Sequence, residues 1–568
     1  MGRKWMYIGT QHSHIAKSGK VASTEVKKAT SDAPKAESEA QGAQAPQESV
    51  TISYLPQDPD LLPVQEGKLE GKLEAGPTGP RLKVSVPRNF PTAAPDAHGD
   101  FHFELDDPKF DSVNTYFVAH QTLDIAEQYA GREIPWSFTE ELGRQQMIIH
   151  PHAGSGVVNA YYTSEGGSVN FFNYHNDERH VHRTGMMSDV IAHETGHAIL
   201  DGLRPTYIRS LDVPAGGFHE SFGDMIAMLR ALHEPSIIEA LKAETKGDLG
   251  QSNIVTRLAE QLGADAYGAP KDGGPAFLRD AVNEHKYADQ HFLPYTDPAM
   301  GGNGFGTEPH AYATLFTGAF YDLFGKLYEK AAADPDKTFT QAVAEARDAA
   351  GSLLLRAIEV GPVGNPSYPE MAEAFLQADA IDSDGALKPL IEEAFRDRGI
   401  LTETNVSKVE AKLQSLPELK MTATATEEKG ALKFLAANRK ALGLPEGVEF
   451  GFEKAYSNKK GETFLTFSTS REGLLDDPDF GTNEGSKYEG VGGLVLGFDK
   501  SKKLFVANFD EVTDREMSDI KDNVRSLSLA GNLVQGRGSA DDSRDKVHVE
   551  LVSTGNGSVL RKSPVLYC

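Results

Sequence analysis

Cysteine is almost missing: the 568 residues hold one, Cys568. No disulfide can close within the chain, and any metal site must be built from histidine and carboxylate, not thiolate. Long apolar runs are missing as well. Nothing approaches the ~18 consecutive apolar residues of a membrane span, so no transmembrane helix and no membrane insertion are expected. The opening MGRKWMYIGTQHSHIAKSGK lacks the apolar run of a secretory signal. A cytoplasmic location, or export by a signal-less route, is therefore expected. Positive charge is in deficit, with 57 Lys and Arg against 83 Asp and Glu and a formal net charge of −26. That balance argues against nucleic acid and anionic membranes as partners. No sequence feature speaks to the oligomeric state.

What is present concentrates in one stretch, DVIAHETGHAILDGLRPTYIRSLDVPAGGFHESFGD, from Asp189 to Asp224. His193 and His197 are four apart, so on a helix they stand one above the other on the same face. Val190, Ile191, Ala192, Ala198, Ile199 and Leu203 around them suit a buried helix. Ser188 or Asp189 caps its start, and Gly202 with Pro205 ends it. Glu194 points to the neighbouring face, where a general base can act on a metal-activated water. A catalytic zinc site needs three protein ligands and an open position. Glu220 is the best third ligand, opening a second helical stretch. Asp224, one turn on, can accept the free ring N–H of a ligating histidine. A bare H-E-x-x-H arises by chance in roughly one such chain in twenty, so the argument rests on the combination and not on the five-residue motif alone.

The combined block resembles the thermolysin-like gluzincin metallopeptidases, and the resemblance runs over roughly residues 100 to 400. The stretch VVNAYYTSEGGSVNFFNY (157–174) is similar to that family's substrate-binding edge strand. This implies that Asn159 and Ala160 hold the substrate backbone. AFLRDAV (276–282) resembles the family's Leu-Arg segment, implying that Arg279 binds the substrate carbonyl and the glutamate ligand. NGFGTEPHAYATLFTGAFYDLF (303–324) resembles the loop and helix that carry a second active-site histidine, here His310, with Glu308 as its nearby candidate partner. Tyr207 falls about where the family places a tyrosine near the oxyanion. The 22 residues (198–219) between the second histidine and the glutamate exceed the family's usual spacing. Val190 and Leu278 fall at the family's apolar pocket, implying a hydrophobic residue after the cleaved bond. Asp189 matches one ligand of a structural calcium, or else is a helix N-cap. The family implies one catalytic Zn²⁺ and a polypeptide substrate.

Around this unit, residues 1–50 are Ala-, Ser-, Lys-, Glu- and Pro-rich, the composition of a disordered tail. Residues 51–99 read as a lead-in or short pro-like segment with a few strands. Residues 100–404 form the peptidase unit: MIIHPHAG and SVNFFNY read as strands, while helical periodicity dominates from 234, including NIVTRLAEQLGA. His175, His180 and His182 read as a polar rim in preference to a second metal site. The glycine-rich DPAMGGNGFGTEPH (297–310) has no G-K-[ST], so it is no phosphate cradle. Residues 405–568 alternate helix and strand, ending with KVHVELVST as a last strand, and read as an α+β accessory domain. The fold class expected is α+β: a two-lobed thermolysin-like unit, β-rich first and helical second, with an accessory domain. The expected activity is zinc-dependent endopeptidase. An aminopeptidase is disfavoured because no G-x-M-E-N stretch is present. A zinc-binding scaffold or a narrow-specificity protease effector are the alternatives.

Overall fold

The structure is a computed structural model that describes residues 49–175, 181–267, 276–287, 308–536, 546–554 and 557–567. The tail up to residue 48, His180, the glycine-rich run up to residue 307 and Cys568 lie outside the described residues.

The described part opens with strands. β1 (Ser49–Tyr54) and β2 (Gln65–Glu70) pair antiparallel, and β3 (Leu82–Val84) follows. The long helix α1 (Phe110–Ala130) buries Val113, Phe117, Leu123 and Ala126 and ends on Gly131 in the left-handed conformation. Glycine reaches that conformation without the Cβ clash other residues meet. After the single turn α2 (Thr139–Leu142) come β4 (Met147–Ser155), β5 (Ala160–Thr163), β6 (Ser168–His175) and β7 (Val181–Arg183). They form a sheet in the order β5-β6-β4-β3, with β7 also on β6. β3 runs parallel to β4 and β4 to β6, whereas β5 and β7 are antiparallel to β6. The lead-in stretch is therefore woven into this sheet through β3, and Ile52 and Phe101 lie fully buried in the same core.

Helices follow: α3 (Ser188–Leu203), α4 (Val213–Ala231), α5 (Pro235–Thr245), then β8 (Arg257–Leu258), α6 (Glu260–Tyr267) and β9 (Arg279–Asp280). The run NIVTRLAEQLGA was expected to be helical throughout, but its first half is not. The Thr256 hydroxyl bonds the Asn253 backbone twice, accepting its N–H at 2.9 Å and donating to its carbonyl at 3.1 Å, while Asn253 Oδ1 accepts the Val255 N–H at 3.0 Å. Such local side-chain bonds compete with the helix, and β8 pairs with β9 instead. α7 (Pro309–Ala332), α8 (Phe339–Val360), α9 (Tyr368–Asp382), α10 (Lys388–Asp397) and α11 (Glu403–Gln414) complete the helical part. Thr338 with Gln341 and Ser367 with Glu370 close capping boxes at the starts of α8 and α9, which satisfies backbone N–H groups the helices cannot.

The last part of the chain builds a second sheet. α12 (Glu428–Asn438) precedes β10 (Gly451–Ser457), β11 (Thr463–Leu474), β12 (Lys487–Phe498) and β13 (Leu504–Asp510). α13 (Asp514–Ala530), β14 (Leu533–Gln535), β15 (Val547–Thr554), β16 (Gly557–Lys562) and β17 (Val565–Tyr567) follow. The strand order is β10-β11-β12-β16-β15-β14, with β13 also on β12. α12 packs Phe434 and Leu435 with Phe467, Leu494 and Phe498, while α13 packs Ile520 and Val524 with Tyr488, Val549 and Leu560. The architecture is α+β. KVHVELVST, expected as the last strand, is β15. Two more strands follow, and the second of them, β17, leaves the accessory sheet and pairs with β5.

The sheet docks on the helical part through backbone as well as side chains. A Cβ on Gly364 would fall 1.9 Å from the Val491 carbonyl oxygen, and one on Gly493 would fall 2.7 Å from Val363 Cβ. Arg356 on α8 takes Glu462 bidentately at 2.8 and 3.0 Å. Lys454 on β10 donates to the Gly202 and Leu203 carbonyls at 2.9 and 3.0 Å, capping the carboxyl end of α3 with a cation. Burial pushes the Lys454 ammonium down to about 7, with Arg204 and Arg132 adding to it. The folded chain then binds fewer protons than the unfolded one from about pH 7 to 10, so stability from this group rises with pH. In denaturant titrations, wild type is expected to gain on Lys454→Met by at most about 1.4 kcal/mol per pH unit across that window. Parallel pH profiles would show that Lys454 stays charged.

Candidate active site

α3 is buried over its whole length, from Ser188 to Leu203. A helix in that position is expected to be apolar, yet it carries His193, Glu194, His197 and Asp201, all 3% exposed or less. Buried polar groups need partners or a purpose. Asp201 has its partners: the Tyr162 hydroxyl donates to it at 2.6 Å, and Ser137 donates too. His193 and His197 face α4. Glycine permits the approach: a Cβ on Gly196 would lie 3.1 Å from Gly223 Cα, and one on Gly223 would lie 2.7 Å from His193 Nδ1 and Cε1.

At that crossing the histidine rings stand edge to face, centroids 4.5 Å apart. His193 Nε2 is 3.2 Å and His197 Nε2 3.7 Å from the Glu220 oxygens. Behind His193, its Nδ1 is 2.9 Å from Asp224 Oδ1, and Arg279 donates to both oxygens of Asp224, at 3.1 and 2.8 Å. Behind His197, its Nδ1 lies 2.9 Å from His219 Nδ1. One of these two nitrogens must carry the proton. If His197 Nε2 is to offer a lone pair to a metal, His197 donates and His219 accepts. Burial pushes His219 down to about 3, which keeps it a neutral acceptor.

The charges fall into a consistent order. Burial opposes ionisation of Glu220, but His310, His197 and His193 outweigh it and hold the carboxyl well below the usual range. Burial likewise opposes Asp224, which Arg279 and His193 hold down. Glu194 goes the other way. Burial pushes it up to about 8, against the pull of His193 and with Glu220 adding to the push. The Tyr162 amide of β5 acts on it in the ionising direction, so the strand edge and this carboxyl are neighbours.

The residues singled out in the sequence divide into those gathered here and those elsewhere. His310, in the first turn of α7, has Nε2 3.2 Å from Glu220 Oε2 and Nδ1 bonded to Glu308. Arg279 reaches the cluster but clamps Asp224, whereas the resemblance implied the glutamate ligand. Asn159 folds back: its Oδ1 accepts from the Ala160 N–H at 2.9 Å. Ala160 opens β5. Val190 is buried in the main core, and Leu278 packs against it. Asp189 accepts the Val190 and Ala259 amides at 2.7 and 2.6 Å. Tyr207 is not brought to the cluster. Its hydroxyl donates to the Pro362 carbonyl at 2.6 Å, and its ring stands edge-on to Phe218. The connection between α3 and α4 forms a short turn at Tyr207–Arg209 that sends this ring into the core. His175 and His182 lie on the paired strands β6 and β7.

Sequence reasoning missed His219 and the Gly196–Gly223 contact. His219 stands directly before Glu220 and the glycines lie within the two ligand helices, so the letters were in view. Which face they occupy needed the crossing of the helices.

The donor set fits a zinc ion. His193, His197 and Glu220 each offer one ligand atom, all within 4.8 Å of one another. Two imidazole nitrogens and a carboxylate suit Zn²⁺ in a catalytic site. His197 Nε2 and both Glu194 oxygens are buried with no hydrogen-bond partner among the described residues, a cost that a cation and a water would offset.

Comparison with known proteins agrees. Residues 139–403 match the model of the fungalysin metallopeptidase family, M36. The "Extracellular metalloproteinase mep" of Aspergillus flavus is 23% identical over 337 residues, which are 57% of this chain and 47% of that protein. The chain thus spans about half the length of this curated relative. Its name overturns the cytoplasmic option expected from the sequence. One cysteine and a plain opening segment say little about compartment, since this fold's core closes without disulfides. Among the described residues no helix is long and apolar enough to cross a membrane. Residues 139–403 thus match a metallopeptidase family of the thermolysin-like gluzincin kind.

Proposed function

We propose that the protein is a zinc-dependent endopeptidase acting on polypeptides outside the cytoplasm. The observation that carries the reading is the convergence of His193, His197 and Glu220 within ligand distance, with the unpartnered Glu194 carboxyl beside them. Zn²⁺ held there would supply an acidified water, pKa near ~7, and an electrophile for the scissile carbonyl. Glu194, beside it, would accept the proton of the attacking water and return it to the leaving amine. Asp224, braced by Arg279, holds His193 in the ligand tautomer; His219 does the same for His197. His310, oriented by Glu308, donates to the oxyanion. The β5 edge after Asn159 receives the substrate backbone as an added strand. Val190 and Leu278 favour a hydrophobic residue after the cleaved bond.

Zinc content and cleavage of denatured casein test the reading together. One zinc per chain is expected, with cleavage lost to 1,10-phenanthroline and restored by added Zn²⁺. A purified, folded chain that takes up no zinc would overturn it.

A further inference from the structure

β5 has two edges. β6 takes one, pairing Ala160 with Phe171 through Thr163 with Ser168. The other lies beside Glu194, whose carboxyl feels the Tyr162 amide. On the proposed function, this is the edge along which an extended substrate would be laid. β17 occupies it, antiparallel, with Val565 opposite Thr163, Leu566 opposite Tyr162 and Tyr567 opposite Tyr161. The Ser164 amide extends the ladder by donating to the Pro564 carbonyl at 3.1 Å.

The residues before β17 are anchored on the accessory sheet. Leu560 is buried with Tyr488 and Val549. Arg561 pairs with Glu489, and the Ser563 amide donates to the His548 carbonyl at 2.8 Å. Lys562 points the other way. A Cβ on Gly216, one turn before Glu220, would lie 4.0 Å from Lys562 Nζ and 3.5 Å from Pro309 Cγ, the neighbour of His310. The ammonium therefore sits between the helix carrying Glu220 and the helix carrying His310.

We infer that Lys562–Tyr567 is an inhibitory strap: β17 fills the substrate edge of β5 while Lys562 fills the space between α4 and α7, and the peptidase works well below its full rate until the strap is displaced. The inference rests on the proposed function, and it assigns the accessory sheet a role, that of holding the strap. A strand tethered this closely competes at about millimolar effective concentration. A substrate segment must displace it before laying its own backbone on β5.

The test uses binding, so that it does not depend on turnover. Two zinc-loaded chains both carry Glu194→Gln, one of full length and one ending at Lys562. The probe is a dye-labelled Ala-Gly-Leu-Ala peptide, followed by fluorescence anisotropy. The shortened chain is expected to bind it at least tenfold more tightly, and the free peptide Ser-Pro-Val-Leu-Tyr-Cys should compete for that site. Leu566→Pro, which breaks the ladder at full length, should give the same gain and covers the case of a shortened chain that misfolds. Equal affinity in the full-length chain and the Leu566→Pro chain, or binding to neither, overturns the strap. Zinc measured in the same samples separates this from failure of the function: one zinc per chain with unchanged affinity sinks the strap alone, and absence of zinc sinks the peptidase reading.

Discussion

Glu194→Gln is expected to lower kcat/KM for peptide cleavage by about 10²- to 10⁴-fold, the range for loss of a positioned general base, while zinc stays at one per chain. Glu194 is fully buried, and neither oxygen has a partner among the described residues. Burial pushes its carboxyl up to about 8. The fold therefore gains nothing from the charge, and a neutral amide of the same shape occupies the same buried space. The variant should be at least as resistant to thermal unfolding as wild type. A core residue held for packing alone would behave differently, with cleavage surviving the substitution. Retained cleavage by Glu194→Gln at full zinc content would sink the assignment of the base.

Gly223→Ala should be nearly as damaging, from a residue that contacts no substrate. The added Cβ would fall 2.7 Å from two atoms of the His193 ring and 3.0 Å from a third. The ring has nowhere to go. Asp224 holds it from one side, at 2.9 Å, and Glu220 faces the other, at 3.2 Å. α3 cannot retreat, because it is buried along its length. Alanine is the better helix former by about 1 kcal/mol, so the loss must come from the contact and not from the helix. Zinc affinity is expected to fall by about ten- to a hundredfold, in line with the cost of misplacing groups that orient a ligand, with helical circular dichroism unchanged. Zinc titration of the apo protein against a chromogenic chelator reads this directly. Wild-type affinity would mean that the helices part more easily than their glycine contact implies.

The local patterns were readable because they depend on short spacings. His193 and His197 share a helix face because four residues make about one turn. Glu220 and Asp224 share theirs for the same reason. The α+β mixture and the strand alternation of 448–512 were equally legible. Asn253–Arg257 misled because its apolar spacing mimics a helix while its side chains bond the backbone.

Relations between distant segments were not readable. Tyr207 lies at a reasonable distance along the chain from His197, yet one short turn directs it to Pro362. His219 supports His197 only because α3 and α4 cross at two glycines. The residues after β15 have no strand alternation of their own, and pairing alone makes β16 and β17. Sequence determined the chemistry on this chain: two imidazoles, a ligand carboxylate and a base at helical spacing, with a single cysteine far along the chain. Tertiary structure alone decided what stands behind each ligand and what lies across the cleft. Hydrogen-bond ladders and helix crossings join residues hundreds of positions apart, and no short period in the chain records them.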